Sequence, residues 1–239
     1  MRQALKKVLS DQFALLIFRP FRPNLAEYRA YYFAWGFVAT WLAGVGRYWD
    51  HPNAAWWQYL GLGSIGYVFV MAAFLWLVAA PIRPAHWRYD SVWLFVSLTS
   101  LPALLYAIPV ETFMDLGQAQ LANMLFLAVV ATWRVILLFR YLRFSGRLSW
   151  GEVTVVALLP LALIVAALTV LNLEKAVFEL MGGNRAGTAN DGAYVILLLL
   201  TTLSLFASPV LALSYLVMIG SNLRKPKDRS VSPRAPGTD

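Results

Sequence analysis

The sequence predicts an all-α protein, a polytopic membrane helical bundle with about six transmembrane helices plus an N-terminal amphipathic interfacial helix. Of its 239 residues, 60% are hydrophobic and only 13% are charged, whereas soluble domains carry about a quarter charged residues. The apolar residues form long runs, and in lipid a helix satisfies its own backbone hydrogen bonds. The alternating segments of about ten residues that are typical of membrane β-barrels are absent.

The N-terminal stretch, residues 1–23, predicts an amphipathic helix that lies in the headgroup plane. Its apolar run is too short for the apolar core of a signal peptide. Arg19-Pro20 and Arg22-Pro23 are expected to end this helix. A helix packed against the bundle's own loops is the alternative. The apolar side chains recur at helical spacing: Leu5, Val8, Leu9, Phe13, Leu16 and Ile17.

The transmembrane domain is predicted over residues 24–219 and is followed by a disordered basic cytoplasmic tail, 220–239. Tryptophans at the ends of several spans indicate aromatic belts at the membrane interface. The linker before the last span contains a candidate short interfacial helix, 174–181. The predicted spans are 30–46, 59–80, 91–108, 121–139, 153–171 and 194–219.

Small residues and prolines within the spans predict how the helices pack and bend. Gly36, Thr40 and Gly44 recur four residues apart in the first span, a stripe that permits close helix contact. Kinks are expected at Pro102, Pro160 and Pro209, because proline frees a backbone carbonyl.

Three glycines of the second span, Gly61, Gly63 and Gly66, match the GxGxxG pattern. A dinucleotide site also needs a preceding strand and a βαβ unit, which the sequence does not predict. Tight helix packing is therefore the better interpretation.

The positive charges indicate the orientation of the chain. With both termini in the cytoplasm, sixteen of the twenty Lys and Arg residues fall on the inner side and three on the outer side, while acidic residues divide equally. This is the bias of the positive-inside rule. Together with the compact loops, it predicts an integral protein of the bacterial cytoplasmic (inner) membrane.

The strongest candidate for a functional residue is Arg134, a charged residue within the fourth predicted span. It lies about 9 Å deeper along the helix than Arg140, and a charge at that depth costs a few kcal/mol. Asn123 falls about 20° away on the same helical face, so this face is expected to point into the bundle. Arg134 is interpreted as a counter-ion for an anionic substrate, a lipid headgroup or a proton-relay carboxylate. Snorkelling, or bonds to carbonyls freed at prolines, is the structural alternative.

The candidate polar or substrate site within the membrane comprises Arg134, Asn123, Glu111 and Asn172. A second set, Arg140, Arg143 and Arg147, has the charge and position to contact anionic lipids. Positive-inside placement accounts for this second set equally well.

Several classes of chemistry find no support in the sequence. The absence of cysteine excludes disulfides and thiolate chemistry. GxSxG, HExxH and phosphate-loop motifs are also absent, so no catalytic residue, metal site or cofactor is predicted. The net charge of +8 lies at span ends and no nucleic-acid module is recognisable, which argues against a nucleic-acid partner.

The leading functional hypothesis is a non-enzymatic multi-pass inner-membrane protein, a transporter-like or lipid-handling component or a subunit of an envelope complex. The candidate partners are the lipid bilayer and its anionic lipids, and either a second membrane protein or a second copy of the chain. One alternative is a membrane-embedded enzyme that acts on lipid at the outer interface through Asp50, His51 and Glu111. The other is a membrane scaffold that recruits cytosolic partners through its basic termini.

Overall fold

The computed structural model describes residues 1–21, 23–50, 54–173 and 191–224, and this part of the chain contains helices and no strands. The all-α fold class is confirmed. Tight 3₁₀ turns cover Ala80–Ile82, Leu101–Ala107 and Val110–Thr112, and a π-helical turn, Tyr141–Ser145, follows the sixth helix. The helices are α1 (Arg2–Leu16), α2 (Leu25–Tyr48), α3 (Trp56–Tyr59), α4 (Leu62–Ala79), α5 (Tyr89–Leu98), α6 (Leu116–Arg140), α7 (Trp150–Val170) and α8 (Asp191–Arg224).

Five helical segments of the described chain are long and apolar enough to cross a membrane, and they overlap the second to sixth predicted spans. The remaining candidate is α2, which has 24 residues and a length of about 36 Å. Its four tyrosines and two tryptophans make it less apolar than the other spans, so a sixth span remains a prediction. The five segments are Leu62–Ile82, Tyr89–Thr112, Gly117–Ser145, Trp150–Val170 and Leu198–Asn222.

The centre of the bundle is α5, in which every residue from Val92 to Leu98 is buried. Helices α2 and α4 pack along it, and Leu137 and Tyr141, at the end of α6 and just beyond it, complete this core. The rings of Phe95 and Tyr141 stack at 4.2 Å. In lipid, such packing replaces the hydrophobic effect as the main force that holds helices together.

The small-residue stripe of α2 allows the close approach of its neighbours. Gly36, Thr40 and Gly44 are all buried, which confirms the predicted contact stripe. A Cβ added at Gly44 would lie 2.8 Å from the carbonyl oxygen of Gly61. Gly61 itself has a left-handed φ of 66° and is the N-cap residue just before α4, so helix packing and the turn explain this glycine. No other atom lies within 4 Å of a Cβ built at Gly66.

The N-terminal helix α1 packs on the bundle with one face and leaves a second apolar face exposed. Its contacts reach Trp35, Leu98 and Trp133, which lie about 8–11 Å inside the predicted cytoplasmic ends of their spans. That depth is close to the one expected of an interfacial helix. The structure therefore shows α1 packed on the bundle, close to the alternative interpretation, and its position at the membrane interface remains a prediction. The buried face carries Ala4, Val8, Gln12 and Leu15, and the exposed face carries Leu5, Leu9, Phe13 and Ile17.

The three prolines within the spans occur in different surroundings. The α-helical part of the third span ends at Leu98, and the following 3₁₀ segment carries Pro102. In α7 and α8 the α-helix continues through Pro160 and Pro209. The third span is therefore discontinuous in its middle.

Helices α7 and α8 form a hairpin that joins the bundle at its predicted cytoplasmic end. An apolar cluster there includes Ala79 of α4, Leu142 of the π turn, and Val153 and Ala157 of α7. The α8 helix continues to Arg224, beyond the predicted start of the disordered tail at residue 220.

This extension of α8 is packed against the rest of the bundle. Asn222 is buried, and its Nδ2 donates a hydrogen bond to the carbonyl oxygen of Ile82 at 3.3 Å. Residues 225–239, the rest of the predicted tail, lie outside the described residues. The candidate interfacial helix, 174–181, also lies outside them.

Candidate anion site around Arg134

Arg134 lies beside the bundle-facing side of α6. Val130, one turn earlier, and Leu137, one turn later, are 2% and 1% exposed, whereas Arg134 itself is half-buried. At about 100° per residue, Val130 and Leu137 lie about 40° and 60° from Arg134 around the helix. The arginine is therefore held at the edge of the core and not on the side of α6 opposite to it.

The guanidinium of Arg134 has an aromatic neighbour and no carboxylate partner in the described chain. Its central carbon lies 5.7 Å from the centre of the Tyr67 ring on α4, within the range of a cation–π contact. Among the described residues, no carboxylate lies within 4.0 Å of it and no carbonyl accepts a hydrogen bond from it. Carbonyls freed at the described prolines therefore do not hold this arginine.

A second arginine approaches the same group of tyrosines from the C-terminal end of α2. The guanidinium of Arg47 lies 5.3 Å from the centre of the Tyr106 ring. Tyr106 also lies in the neighbourhood of Arg134 and Tyr67. We call Arg47, Tyr67, Tyr106 and Arg134 the arginine–tyrosine cluster.

Sequence reasoning finds only one member of the arginine–tyrosine cluster. In the sequence Arg47 marks the end of a span, and Tyr106 lies near a span end, where aromatic residues are common. Tyr67 lies inside the second span as one of several aromatic residues there. No spacing rule relates residues on α2, α4, α6 and a 3₁₀ segment, so the sequence carries no signal that would group them.

Glu111 and Asn123 form a separate polar pair near the N-terminal end of α6. The Nδ2 of Asn123 donates to Oε1 of Glu111 at 2.8 Å. Asn123 lies eleven residues before Arg134, or about 16 Å along the helix. The structure thus brings two predicted site residues together, but it does not pair Glu111 with Arg134.

The fourth predicted member, Asn172, is exposed just beyond the C-terminal end of α7. It has a left-handed φ of 54°, a conformation that asparagine tolerates and that often ends helices. Its described backbone contact is with Thr169, so nothing connects it with Arg134.

The three arginines predicted to contact anionic lipids lie just beyond the predicted cytoplasmic end of the fourth span. Arg140 lies 4.9 Å over the ring of Phe144. Arg143 donates to the carbonyl oxygen of Leu148 at 2.7 Å, and Arg147 is exposed. Contact with anionic lipid at these residues remains a prediction.

The residues of the enzyme alternative are only partly described. Glu111 is bonded by Asn123, and His51 lies outside the described residues. Within the described part of the chain, no group of three or more His, Cys, Asp or Glu side chains is placed to hold a metal ion.

The described chain is thus an integral membrane bundle with a cation–aromatic cluster among its spans. No family model, no curated protein and no solved structure matches the chain. The chemistry of the arginine–tyrosine cluster is therefore the basis for any functional inference.

Proposed function

We propose that this multi-pass protein of the bacterial inner membrane is a non-enzymatic, lipid-handling or transporter-like component that binds the anionic group of its substrate at Arg134. One observation carries the proposal: Arg134 lies within a membrane span and has no carboxylate partner among the described residues. A charge in that position costs a few kcal/mol. A bound anion would offset this cost through charge-assisted hydrogen bonds.

The surroundings of Arg134 suit an anion with several oxygens. A guanidinium is a planar fork of donors that matches phosphate and carboxylate groups. Tyr67 contacts the guanidinium through its ring face, which leaves the N–H donors available to a ligand. The Tyr67 side chain is 46% exposed, so this side of the cluster is open. Arg47 adds a second positive charge towards the outer end of α2.

Removal of the Arg134 charge is expected to weaken anionic-lipid binding by about 10–100-fold, since hydrogen bonds to charged groups contribute about 1.5–3 kcal/mol. Native mass spectrometry in mild detergent would measure this, with wild type, Arg134→Ala and Arg134→Lys compared at several concentrations of phosphatidylglycerol. The lysine variant keeps the charge but loses the fork, so its affinity should be intermediate.

Arg2→Ala is the matched control for this experiment, because it removes one exposed cation from α1 and should bind as wild type does. Unchanged binding by a folded Arg134→Ala variant would contradict the proposed site. A stoichiometric second polypeptide in place of lipid would instead support a subunit of an envelope complex or a homo-oligomer.

The proposed topology has six spans, with α2 as the first and both termini in the cytoplasm. The uneven distribution of Lys and Arg supports it. Because the chain has no cysteine, Asn190→Cys and Ser230→Cys each provide a single thiol. A membrane-impermeant maleimide is expected to label Asn190→Cys in intact spheroplasts and Ser230→Cys only after lysis. The reverse pattern would show the opposite orientation, and the wild type provides the unlabelled control.

A further inference from the structure

We propose that the ligand at Arg134 is an anionic lipid that enters sideways from the outer leaflet, between the bundle and the outer half of the α7–α8 hairpin. We call this space the lateral gap. The inference rests on the proposed anion site at Arg134, and it adds the class of ligand and the route of entry.

The first observation is that the side chains on the bundle-facing side of α7 change from buried to exposed halfway along the helix. Val153 and Ala157 are fully buried and Pro160 is also buried. Ile164 lies about 20° from Val153 around the helix, yet it is 38% exposed, and Ala167 is exposed as well. The same face is therefore packed at the cytoplasmic end and uncovered towards the outer end.

The second observation is that the described hydrogen bonds between the hairpin and the bundle lie at the cytoplasmic end. The hydroxyl of Tyr215 donates to the carbonyl oxygen of Val78 at 2.5 Å, and the bond from Asn222 lies about two turns further inward. The outer halves of α7 and α8 remain together, since the hydroxyl oxygens of Thr169 and Thr201 are 3.5 Å apart. The outer half of the hairpin is thus paired with itself and not with the bundle.

The third observation places Arg134 at the inner end of the lateral gap. Measured from Leu142 in the shared apolar cluster, Arg134 lies eight residues outward, or about 12 Å. On α7, Ile164 lies eleven residues outward from Val153, or about 16 Å. The arginine is therefore near the level at which α7 loses its cover.

The side-chain directions around α6 agree with this position. Leu142, which packs in the cluster with α7, lies about 80° from Arg134 in one direction, and Leu137, which packs in the core around α5, lies about 60° in the other. The guanidinium reaches outward to Tyr67 on α4. Arg134 thus projects between the side of α6 that packs in the core around α5 and the side that packs in the cluster with α7.

The walls of the lateral gap indicate what kind of molecule fills it. Leu163 and Ile164 offer apolar, partly exposed side chains, and the gap lies within predicted spans, so it opens to the bilayer. An acyl chain matches these walls, and a phosphate or carboxylate headgroup matches Arg134. A small soluble anion would satisfy the arginine but leave the apolar walls without a partner.

The test is to obstruct the lateral gap without touching the arginine. Ile164→Trp adds a bulky ring to the uncovered face of α7, and the matched control is Leu213→Trp. Leu213 is 65% exposed and lies about 160° from the bundle-facing Tyr215 around α8. Both variants are compared with wild type by native mass spectrometry, using dioleoyl- and dihexanoyl-phosphatidylglycerol as long-chain and short-chain probes.

We expect Ile164→Trp to weaken binding of the long-chain lipid by about tenfold or more, and binding of the short-chain lipid by less than about twofold. Leu213→Trp should bind both as wild type does. If Ile164→Trp fails to accumulate, Ala167→Leu obstructs the same face with a smaller side chain and should give the same order of affinities.

Two results would overturn the lateral gap: wild-type binding of the long-chain lipid by Ile164→Trp, or an equal loss of both lipids. These results are distinct from a failure of the proposed function. If Arg134→Ala keeps wild-type affinity for the short-chain lipid, the anion site itself is wrong, whatever the hairpin variants show.

Discussion

The Gln12→Leu variant is expected to lose about 2–4 kcal/mol of stability, because one substitution leaves a buried carbonyl oxygen and a part-buried indole N–H without partners. Gln12 is 2% exposed. Its Nε2 donates to the carbonyl oxygen of Leu98 at 2.8 Å, and its Oε1 accepts from the indole N–H of Trp35 at 2.6 Å. Leu98 is the last residue of α5, so its carbonyl has no partner within a continuing helix.

This loss should appear as a lower midpoint in thermal or detergent-induced unfolding of the purified protein. Gln3→Leu is the matched control, because Gln3 lies on the same helix and is exposed. A change below about 0.5 kcal/mol, the range of ordinary surface substitutions, would show that Gln12 does not stabilise the break in the third span. The expected result would instead make α1 an integral part of the bundle, since it supplies the partner that the discontinuous helix lacks.

Gly44→Ala is expected to destabilise the protein by about 1–3 kcal/mol through overpacking between α2 and α4. The added Cβ would lie 2.8 Å from the carbonyl oxygen of Gly61 and 2.8 Å from the side chain of Ser64. The Gly61 oxygen belongs to the backbone at the start of α4. The two helices must therefore move apart to accept one methyl group.

The same substitution at Gly66 provides the control, because a Cβ at this position would meet no other atom within 4 Å. Alanine has the higher helix propensity, by about 1 kcal/mol, so Gly66→Ala should be neutral or stabilising. Unfolding midpoints of the two variants give the comparison directly. Equal midpoints would contradict the close approach of α2 and α4 at Gly44.

The fold class and the approximate positions of the spans are accessible from the sequence. Lipid offers no partners for an open backbone, so a long apolar run in a membrane protein implies a helix. The contact stripe of Gly36, Thr40 and Gly44 can also be predicted from local sequence spacing, because residues four apart share one face of a helix. The sequence places the end of α8 too early, at residue 219, since the bond between Asn222 and Ile82 joins residues that are 140 positions apart.

The site is less accessible than the fold. Arg134 can be selected by itself, because a charge within an apolar run is unusual in any membrane helix. Its neighbours Tyr67 and Tyr106 cannot be selected, since they lie on other elements and no spacing rule relates them to Arg134. Prolines indicate candidate bends in a span, but only the structure distinguishes the broken helix before Pro102 from the continuous helix at Pro160.

By itself, then, the sequence determined that this is a helical membrane protein and where its apolar runs lie. It also identified Arg134 as a charged residue within one of those runs. Each of these features depends only on the type of residue at a position and on its transfer into lipid. Contacts with residues distant in sequence are not needed to infer them. The tertiary structure decided that Gln12 supplies the partner for Leu98, that Tyr67 faces Arg134 and that the face of α7 is uncovered at Ile164. Each of these depends on how helices remote in sequence are placed against one another, and in a bilayer that placement is set by close packing and hydrogen bonds between particular side chains.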